Sequence, residues 1–343
     1  MTATTDAESA PKRVLGLDAL RGVAVVGMLF VDNKGSNAIT DQLQHAPWHG
    51  IRAADVVFPL FLFAVGASLR FSRRANQPKA VAARTAKLFA LGILIVLLKY
   101  HFNTFGFGVL GHIAAAYGLC WVITRLPRWA QYTVVAAILV GFGILYALVP
   151  VPGTSTTGTG QSTSWAMWID QALGLDFSAE APHSYPTSAV SAYFGYLAGG
   201  ALTGDRAAVV RRLALLTLGA LVLGVAFDLV IPANKRLWTP TYVLLTTAIA
   251  LIVLIVLYLM IDVLGVVRPW GPFIQLGENA LVAFVVSELV FRTALEPLQA
   301  PVVEWITGWS NATVAGYAYP VLTIVAIWAL CAWLARKRII IKL

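Results

Sequence analysis

Side chains that could exchange protons lie close together in one short polar stretch of the sequence. His45 and Trp48 fall in the segment LQHAPWHG, with Asn33 before it and Asp55 after it. An imidazole can accept a proton from an amine or a hydroxyl near neutral pH, and a neighbouring carboxylate can orient its ring. The stretch therefore predicts an acid–base site centred on His45. Asp55 could also cap the helix that follows it.

Two further ionisable residues, Asp18 and Arg21, lie three positions apart in an otherwise apolar stretch. This spacing places both on one face of a helix. Charges inside a membrane-spanning helix are costly, so such a pair either neutralises itself or belongs to a site. The sequence is compatible with both. We expect His101 and His183 near the membrane interface.

Patterns for metal binding and for nucleotide or serine chemistry are missing from the sequence. His45 and His49 have the spacing of a helical metal pair, but Pro47 between them disfavours a helix. No Cys-x-x-Cys pair, P-loop or nucleophile elbow occurs, and the two cysteines lie inside apolar segments. We therefore expect no metal cofactor.

The composition indicates that the elements holding these residues are solvated by lipid. Hydrophobic residues make up 59% of the 343 positions and charged residues 12%, with a mean hydropathy of +0.76. A soluble domain is roughly 45–50% apolar and about 25% charged. We predict an all-α, polytopic transmembrane helix bundle of about ten helices. The apolar stretches lie near residues 14–32, 54–70, 86–99, 108–124, 131–149, 186–203, 213–231, 241–262, 272–291 and 315–335.

The distribution of basic residues predicts the orientation of this bundle. With both termini in the cytoplasm, most of the 25 Lys and Arg residues fall in cytoplasmic segments. Residues 1–13 are then a disordered cytoplasmic tail, 14–343 a single transmembrane domain, and 150–185 a long outer loop. The net charge of +9 suits anionic lipid headgroups rather than nucleic acid, because the basic residues form short runs between apolar stretches.

Several motifs resemble, in order, those of the heparan-α-glucosaminide N-acetyltransferase family of membrane acyltransferases. They cover most of the chain, and the most specific is the long string that begins at His45. The motifs are RVLGLDALRG (13–22), the loop around Asn33, HAPWHGIRAADVVFPLFLFAVG (45–66), GVLGHIAAAY (108–117), PANKRLWTPTYVLL (232–245), LGENAL (276–281) and WLARKRIIIKL (333–343).

The resemblance implies a reaction that crosses the membrane. An acetyl group would pass from cytosolic acetyl-CoA, as co-substrate, to an amino sugar or related envelope glycan on the other side. His45 matches the catalytic histidine of the family and Asn33 its active-site asparagine. Where the family usually has a Gln-Arg pair, this chain has Gly111 and His112. If that arginine helps to bind the donor, the presence of His112 in its place leaves open a different acyl donor or a loss of activity.

The predicted roles combine residue chemistry with this resemblance. His45 would act as a general base or accept the acetyl group itself, Asn33 would donate a hydrogen bond to the oxyanion, and Asp55 would orient the imidazole. His112 would contact the donor. The predicted substrate-binding residues are Trp48, Asp18, Arg21, Asn234, Lys235, Trp238 and Asn279.

The sequence is also compatible with two other functions. A secondary transporter of a small polar solute would also need charged residues inside a helix bundle, and a scaffold for envelope assembly would need no chemistry. The resemblance suggests a bacterial member of the family, in the inner membrane as a multi-pass protein. The acceptor, N- or O-acylation and the oligomeric state, a homodimer included, are not fixed by the sequence.

Overall fold

The computed structural model describes residues 13–341, which form a bundle of helices. Short 3₁₀ turns lie at Asp41–Leu43, Arg73–Asn76, Pro182–Ser184 and Arg268–Trp270, and π-helical segments at Tyr258–Val263 and Ser287–Ala294. The α-helices are α1 Leu15–Asp32, α2 Ala53–Phe71, α3 Pro78–Lys99, α4 Gly108–Arg125, α5 Arg128–Leu148, α6 Trp165–Ala172, α7 Tyr185–Ala201, α8 Arg206–Asp228, α9 Pro240–Leu257, α10 Gly271–Glu278, α11 Ala280–Val286, α12 Glu296–Trp309 and α13 Ala312–Arg336.

The predicted all-α class is confirmed for this part of the chain. Each of the ten predicted apolar stretches coincides with one of these helices or with a broken pair of them. Two shorter helices, α6 and α12, lie in segments that were predicted as connections. Apart from Arg13, the predicted N-terminal tail lies outside the described residues.

Within residues 13–341, six helices are long and apolar enough to cross a membrane: α2, α3, α5, α8, α13, and α9 together with its π-helical end. The segment from Arg268 to Ala294 would add a seventh, bent by 70° between α10 and α11. Helix α1 carries Asp18, Arg21 and Asp32, and α7 has 17 residues. About ten crossings and two cytoplasmic termini therefore stay predictions, while a multi-pass membrane protein is supported.

Helices α2 and α9 lie at the centre of the bundle. In the apolar stretch of each of these two helices 56% of the residues are buried, against 22% in α3 and in α8. Large apolar side chains of α8, such as Leu215, Leu218 and Val222, are more than half exposed. In a bilayer these outer faces contact lipid, so apolar side chains that are exposed on the isolated bundle do not destabilise it there.

The central helix α2 packs most extensively against α7, and glycines make that contact possible. A Cβ atom on Gly66 would lie 1.7 Å from the Ala192 carbonyl oxygen, and one on Gly195 would lie 1.9 Å from the Phe63 carbonyl oxygen. Small residues at helix contacts let the two backbones approach closely in a membrane protein. This packing fixes the position of α2, whose first turn carries Asp55.

Candidate active site

His45 and Asp55 form a directly hydrogen-bonded pair at the start of α2. The His45 Nδ1 atom lies 2.8 Å from Asp55 Oδ1. The carboxylate is 1% exposed, whereas the imidazole is 46% exposed. A carboxylate can only accept a hydrogen bond, so Nδ1 carries the proton in this pair and Nε2 is left with a lone pair. Such an imidazole can act as a base or as a nucleophile.

Asp55 is held in place by the backbone of the same turn. Its second oxygen, Oδ2, accepts the amide N–H of Ala46 at 3.0 Å and of Arg52 at 3.1 Å. Arg52 is the N-cap of α2, so Asp55 lies at the third helical position of a capping box rather than at the N-cap itself. Tyr242 donates its hydroxyl to the Asp55 carbonyl oxygen at 2.6 Å. Both carboxylate oxygens are therefore oriented before any substrate binds.

A lysine lies directly beside this pair. The Lys235 Nζ atom is 3.2 Å from His45 Nδ1 and 3.3 Å from His45 Nε2. Burial lowers the pKa of Lys235, and the nearby carboxylates of Glu180, Asp55 and Asp32 act in the opposite direction. Lys235, predicted as a substrate-binding residue, is thus in contact with the predicted catalytic histidine.

An elongated cavity of about 650 Å³ begins at His45 and runs along α1 and α2. Its lining includes Leu17 near the start of α1 and Asp32 at its end. Fifteen residues of α-helix span about 22 Å, so the cavity extends through most of the bundle. We call its two ends the His45 end and the Arg21 end. The lining between them is almost entirely apolar, with residues such as Val65 and Phe284.

The Arg21 end of the cavity is rich in arginine. Arg13, Arg21 and Arg84 line it together with the carboxylates Asp18 and Glu278. Arg21 Nη1 lies 3.1 Å from Asp18 Oδ1, which confirms that the two side chains share a helix face. Arg13 contacts both carboxylates, at 2.7 Å to Asp18 and 2.5 Å to Glu278. The arginines outnumber the acids at this end.

Arg84 differs from the other two arginines at this end. Its guanidinium lies over the Tyr117 ring, 4.7 Å from the ring centroid. Its buried Nε atom has no hydrogen-bond partner among the described residues. Buried donors are normally satisfied, so this unsatisfied N–H is an exception.

Among the described residues, Asn33 makes no direct hydrogen bond to His45. It is buried at the C-cap of α1, where its Nδ2 group donates to the Leu29 carbonyl oxygen at 2.8 Å and to Ser287 Oγ at 3.0 Å. It is not among the residues that line the cavity. Both amide hydrogens thus have acceptors within the protein, and the oxyanion role of Asn33 stays a prediction.

The other predicted residues at this end hold loops in position. Trp48 donates to the Thr159 carbonyl oxygen at 2.9 Å, which ties the His45 segment to the long loop after α5. Asn234 contacts His49 Nδ1 through Nδ2 at 3.3 Å, and burial lowers the pKa of His49, which favours the neutral acceptor. Trp238 is fully buried and donates to the Ala179 carbonyl oxygen at 2.9 Å.

Two predicted ligand-binding residues lie just outside the cavity wall. Asn279, at the break between α10 and α11, binds the C-terminal segment through the Ile339 carbonyl oxygen at 3.2 Å and the Ile341 amide at 3.1 Å. His112 is fully buried, and its ring packs against Phe58 and Trp238, each with a centroid distance of 4.9 Å. Neither residue lines the cavity, so their roles toward ligands stay predictions.

The structure adds residues that the sequence did not single out. Asp32 and Glu180 line the His45 end of the cavity, and Arg84 lines the other end. His183, expected near the membrane interface, is buried within the protein, with Nδ1 2.8 Å from Asp170 Oδ2. Long-range folding brings these side chains together, and no spacing in the sequence signals it. For Arg84 a signal existed, since it is one of several basic residues around α3.

These features define a multi-pass helical membrane protein with a His–Asp pair at one end of a long cavity and arginines at the other. A family model described as "Heparan-alpha-glucosaminide N-acetyltransferase, catalytic" matches residues 13–172. The human protein named heparan-alpha-glucosaminide N-acetyltransferase is 27% identical over 368 aligned positions, covering 84% of this chain and 54% of the human protein. The mouse protein of that name is 26% identical, covering 82% and 54%.

The comparisons confirm the resemblance to the heparan-α-glucosaminide N-acetyltransferase family. The match of the family model begins at Arg13 and includes His45, Asp55 and His112. The chain spans about half the length of the curated relatives it matches.

Proposed function

We propose that this chain is a membrane acyltransferase that moves an acetyl group from acetyl-CoA to an amino sugar or related glycan. The observation that carries this proposal is the cavity that joins the arginine-rich end to the His45–Asp55 pair. Acetyl-CoA has an anionic nucleotide at one end and a thioester at the tip of a long, flexible arm. An elongated cavity with cations at one end and an imidazole at the other matches that shape. Its volume is within the range of roughly 300–1,000 Å³ typical of small-molecule sites.

The Arg21 end would bind the phosphates of the donor. Guanidinium groups bind phosphate oxygens with two parallel hydrogen bonds, which suits Arg21 and Arg84. Arg13 is partly neutralised by Asp18 and Glu278. With the Arg21 end facing the cytosol, as the basic loops predict, the donor would enter from the cytosol.

His45 would act at the thioester through Nε2, with Asp55 holding the proton on Nδ1. In a direct transfer, His45 accepts a proton from the acceptor amine as that amine attacks the thioester carbonyl carbon. A C–N bond forms, the C–S bond breaks, and the coenzyme leaves as a thiolate that takes up the proton from His45. In a two-step transfer, Nε2 attacks first: a C–N bond forms, the C–S bond breaks, and the coenzyme leaves as a thiolate that takes up a proton. The acceptor amine then attacks the carbonyl carbon of the acetyl-imidazole: the amide C–N bond forms, the bond to Nε2 breaks, and the released imidazole takes the proton of the amine.

The acceptor would bind at the His45 end, where Asp32 and Glu180 line the cavity. These carboxylates can accept hydrogen bonds from sugar hydroxyl and amino groups. This end would face the extracytoplasmic side of the cell membrane. The acceptor meets the donor only at the His45 end of the cavity. The phosphates of the donor therefore need not cross the bundle.

The proposal can be tested on purified protein reconstituted in lipid vesicles. We expect free thiol to appear from acetyl-CoA when glucosamine is present, together with a product heavier by one acetyl group. The His45→Ala variant should fold and lose at least 100-fold in rate, in the range of general acid–base catalysis, about 10²–10⁴. The His101→Asn variant is the matched control, because His101 is exposed and away from the cavity.

The same measurement separates the rival function. Vesicles that accumulate unmodified glucosamine, with no thiol released, would identify a transporter and refute the acyltransferase. Full activity of the His45→Ala variant would refute the assignment of the site.

A further inference from the structure

Lys235 contacts the imidazole of His45 without occupying the direction from which a substrate must approach. An ammonium placed along the Nε2 lone pair would be much farther from Nδ1 than from Nε2. The observed distances are nearly equal, 3.2 Å to Nδ1 and 3.3 Å to Nε2. Lys235 Nζ therefore lies over the face of the ring, because a position in the ring plane at these distances would collide with the carbon between the two nitrogens. The Nε2 lone pair stays open to the cavity.

From this arrangement we infer that Lys235 is a further catalytic residue, which donates a hydrogen bond to the carbonyl oxygen of the thioester as that oxygen becomes negatively charged. The inference rests on the acyltransferase proposed above. Whichever route is followed, the carbonyl carbon is attacked next to His45 Nε2, and its oxygen gains a negative charge within a few ångströms of Nζ. A cation at that place interacts more strongly with the charged oxygen of the transition state than with the neutral carbonyl of the substrate. Only such an interaction accelerates the chemical step.

The surroundings of Lys235 support a role at the reacting carbonyl oxygen rather than a general electrostatic attraction of the substrate. Lys235 lines the cavity at the same end as His45. Burial lowers its pKa, which makes the ammonium a stronger hydrogen-bond donor. The predicted oxyanion donor, Asn33, has both amide hydrogens in use, toward the Leu29 carbonyl and Ser287.

The loop that carries Lys235 is clamped from several sides. The Gly50 amide donates to the Ala233 carbonyl oxygen at 2.7 Å, which joins this loop to the His45 segment. Asn234 Oδ1 accepts the Leu237 amide at 3.0 Å. His183 Nε2 contacts the Arg236 carbonyl oxygen at 3.0 Å.

The same turn contains a strained residue. Trp238 has a φ of +49°, a conformation that non-glycine residues rarely adopt, and its buried ring holds it there. Strain of this kind is found where surrounding contacts fix a functional geometry. The Lys235 ammonium is thus positioned before substrate binds.

The test compares Lys235→Met with Arg236→Met, the adjacent cation, whose side chain is exposed and outside the cavity. For Lys235→Met we expect kcat for thiol release to fall about 10²–10³-fold, the loss seen when an oxyanion donor is removed. KM for acetyl-CoA should stay within about threefold, since the contact forms in the transition state. Arg236→Met should stay near wild type. Slow hydrolysis of acetyl-CoA without acceptor should fall in parallel.

Restoring the amine gives a second, independent readout. Lys235→Cys treated with 2-bromoethylamine regains a side chain with an amine at nearly the lysine length, and its rate should rise at least tenfold. Wild type treated in the same way controls for the two native cysteines, both buried. Thermal unfolding in detergent checks that each variant is folded.

Three results would overturn the inference while wild type remains active. They are a Lys235→Met variant with more than a third of the wild-type kcat, a variant with only a raised KM for the sugar, and no recovery on aminoethylation of a folded Lys235→Cys protein. A wild-type protein that releases no thiol would instead refute the acyltransferase itself.

Discussion

Replacing Asp55 by asparagine tests the His45–Asp55 pair, because asparagine has nearly the same shape as aspartate. Asp55 Oδ1 accepts the His45 Nδ1 proton, while Oδ2 accepts the amides of Ala46 and Arg52. Asparagine has a single acceptor oxygen. Because two backbone donors face one side of the group, that oxygen is expected to remain with them and the NH₂ group to face His45. The imidazole must then present Nδ1 as an acceptor and carry its proton on Nε2.

The magnitude follows from what each hydrogen bond does. With Nε2 protonated, His45 can neither accept a proton nor attack a thioester, so the general-base contribution of about 10²–10⁴ is lost. Exchange of a carboxylate for an amide behind a catalytic histidine costs about 10⁴ in serine proteases, for the same reason. We expect kcat of Asp55→Asn to fall roughly 10³-fold, equivalent to about 4 kcal/mol. The backbone caps persist, so the free energy of unfolding should change by less than about 1 kcal/mol.

The assay is thiol release from acetyl-CoA with glucosamine, run beside thermal unfolding in detergent. Asp41→Asn is the control, because Asp41 lies in the same connection and its side chain is 78% exposed. Asp55→Ala should lose activity and also stability, since it removes the caps as well. An Asp55→Asn protein with activity within about threefold of wild type, beside an inactive His45→Ala, would refute the orientation of His45 by Asp55.

Three further predictions concern the rest of the cavity. Arg84→Gln should raise KM for acetyl-CoA about tenfold or more, because a charge-assisted contact to the donor is lost, and should change kcat little. Steady-state kinetics checks this, with Arg73→Gln, at an exposed arginine, as the control. Val65→Trp should block the apolar middle and abolish transfer while the protein stays folded, whereas Leu218→Trp on the exposed face of α8 should not. His112→Leu should leave KM for acetyl-CoA within about threefold, because His112 lies outside the cavity; a tenfold rise would place it at the donor.

Much of the fold could be predicted from the sequence because lipid constrains it so strongly. Long apolar stretches, such as 131–149 and 241–262, coincide with α5 and α9 because a chain in a bilayer must satisfy its backbone groups within helices. The break at Asn279 was not apparent, since apolar residues flank it on both sides. Bending depends on tertiary contacts, here those of Asn279 with the C-terminal segment.

The candidate site could be predicted only where its parts are near in sequence. His45 and Asp55 are ten residues apart, and their hydrogen bond follows from the turn that joins them. Lys235 is 190 residues from His45, so its contact depends on packing of the whole bundle. For Asn33, the end of α1 directs the amide hydrogens toward Leu29 and Ser287, and its role at the site stays a prediction.

The placement of charge along the cavity bears on the rival function. Secondary transporters bind their polar solutes near the middle of the membrane, where broken helices supply charged or polar groups. Here the middle of the cavity is lined by residues such as Val57, Phe61 and Leu281, and the charged groups lie at its two ends. A small polar solute would find no partner halfway and would pay for its desolvation there. An elongated donor bound at one end and reacting at the other needs no polar group between, since its arm can lie along apolar walls. The distribution of charge in this cavity therefore favours transfer of a group across the bundle over passage of a solute through it.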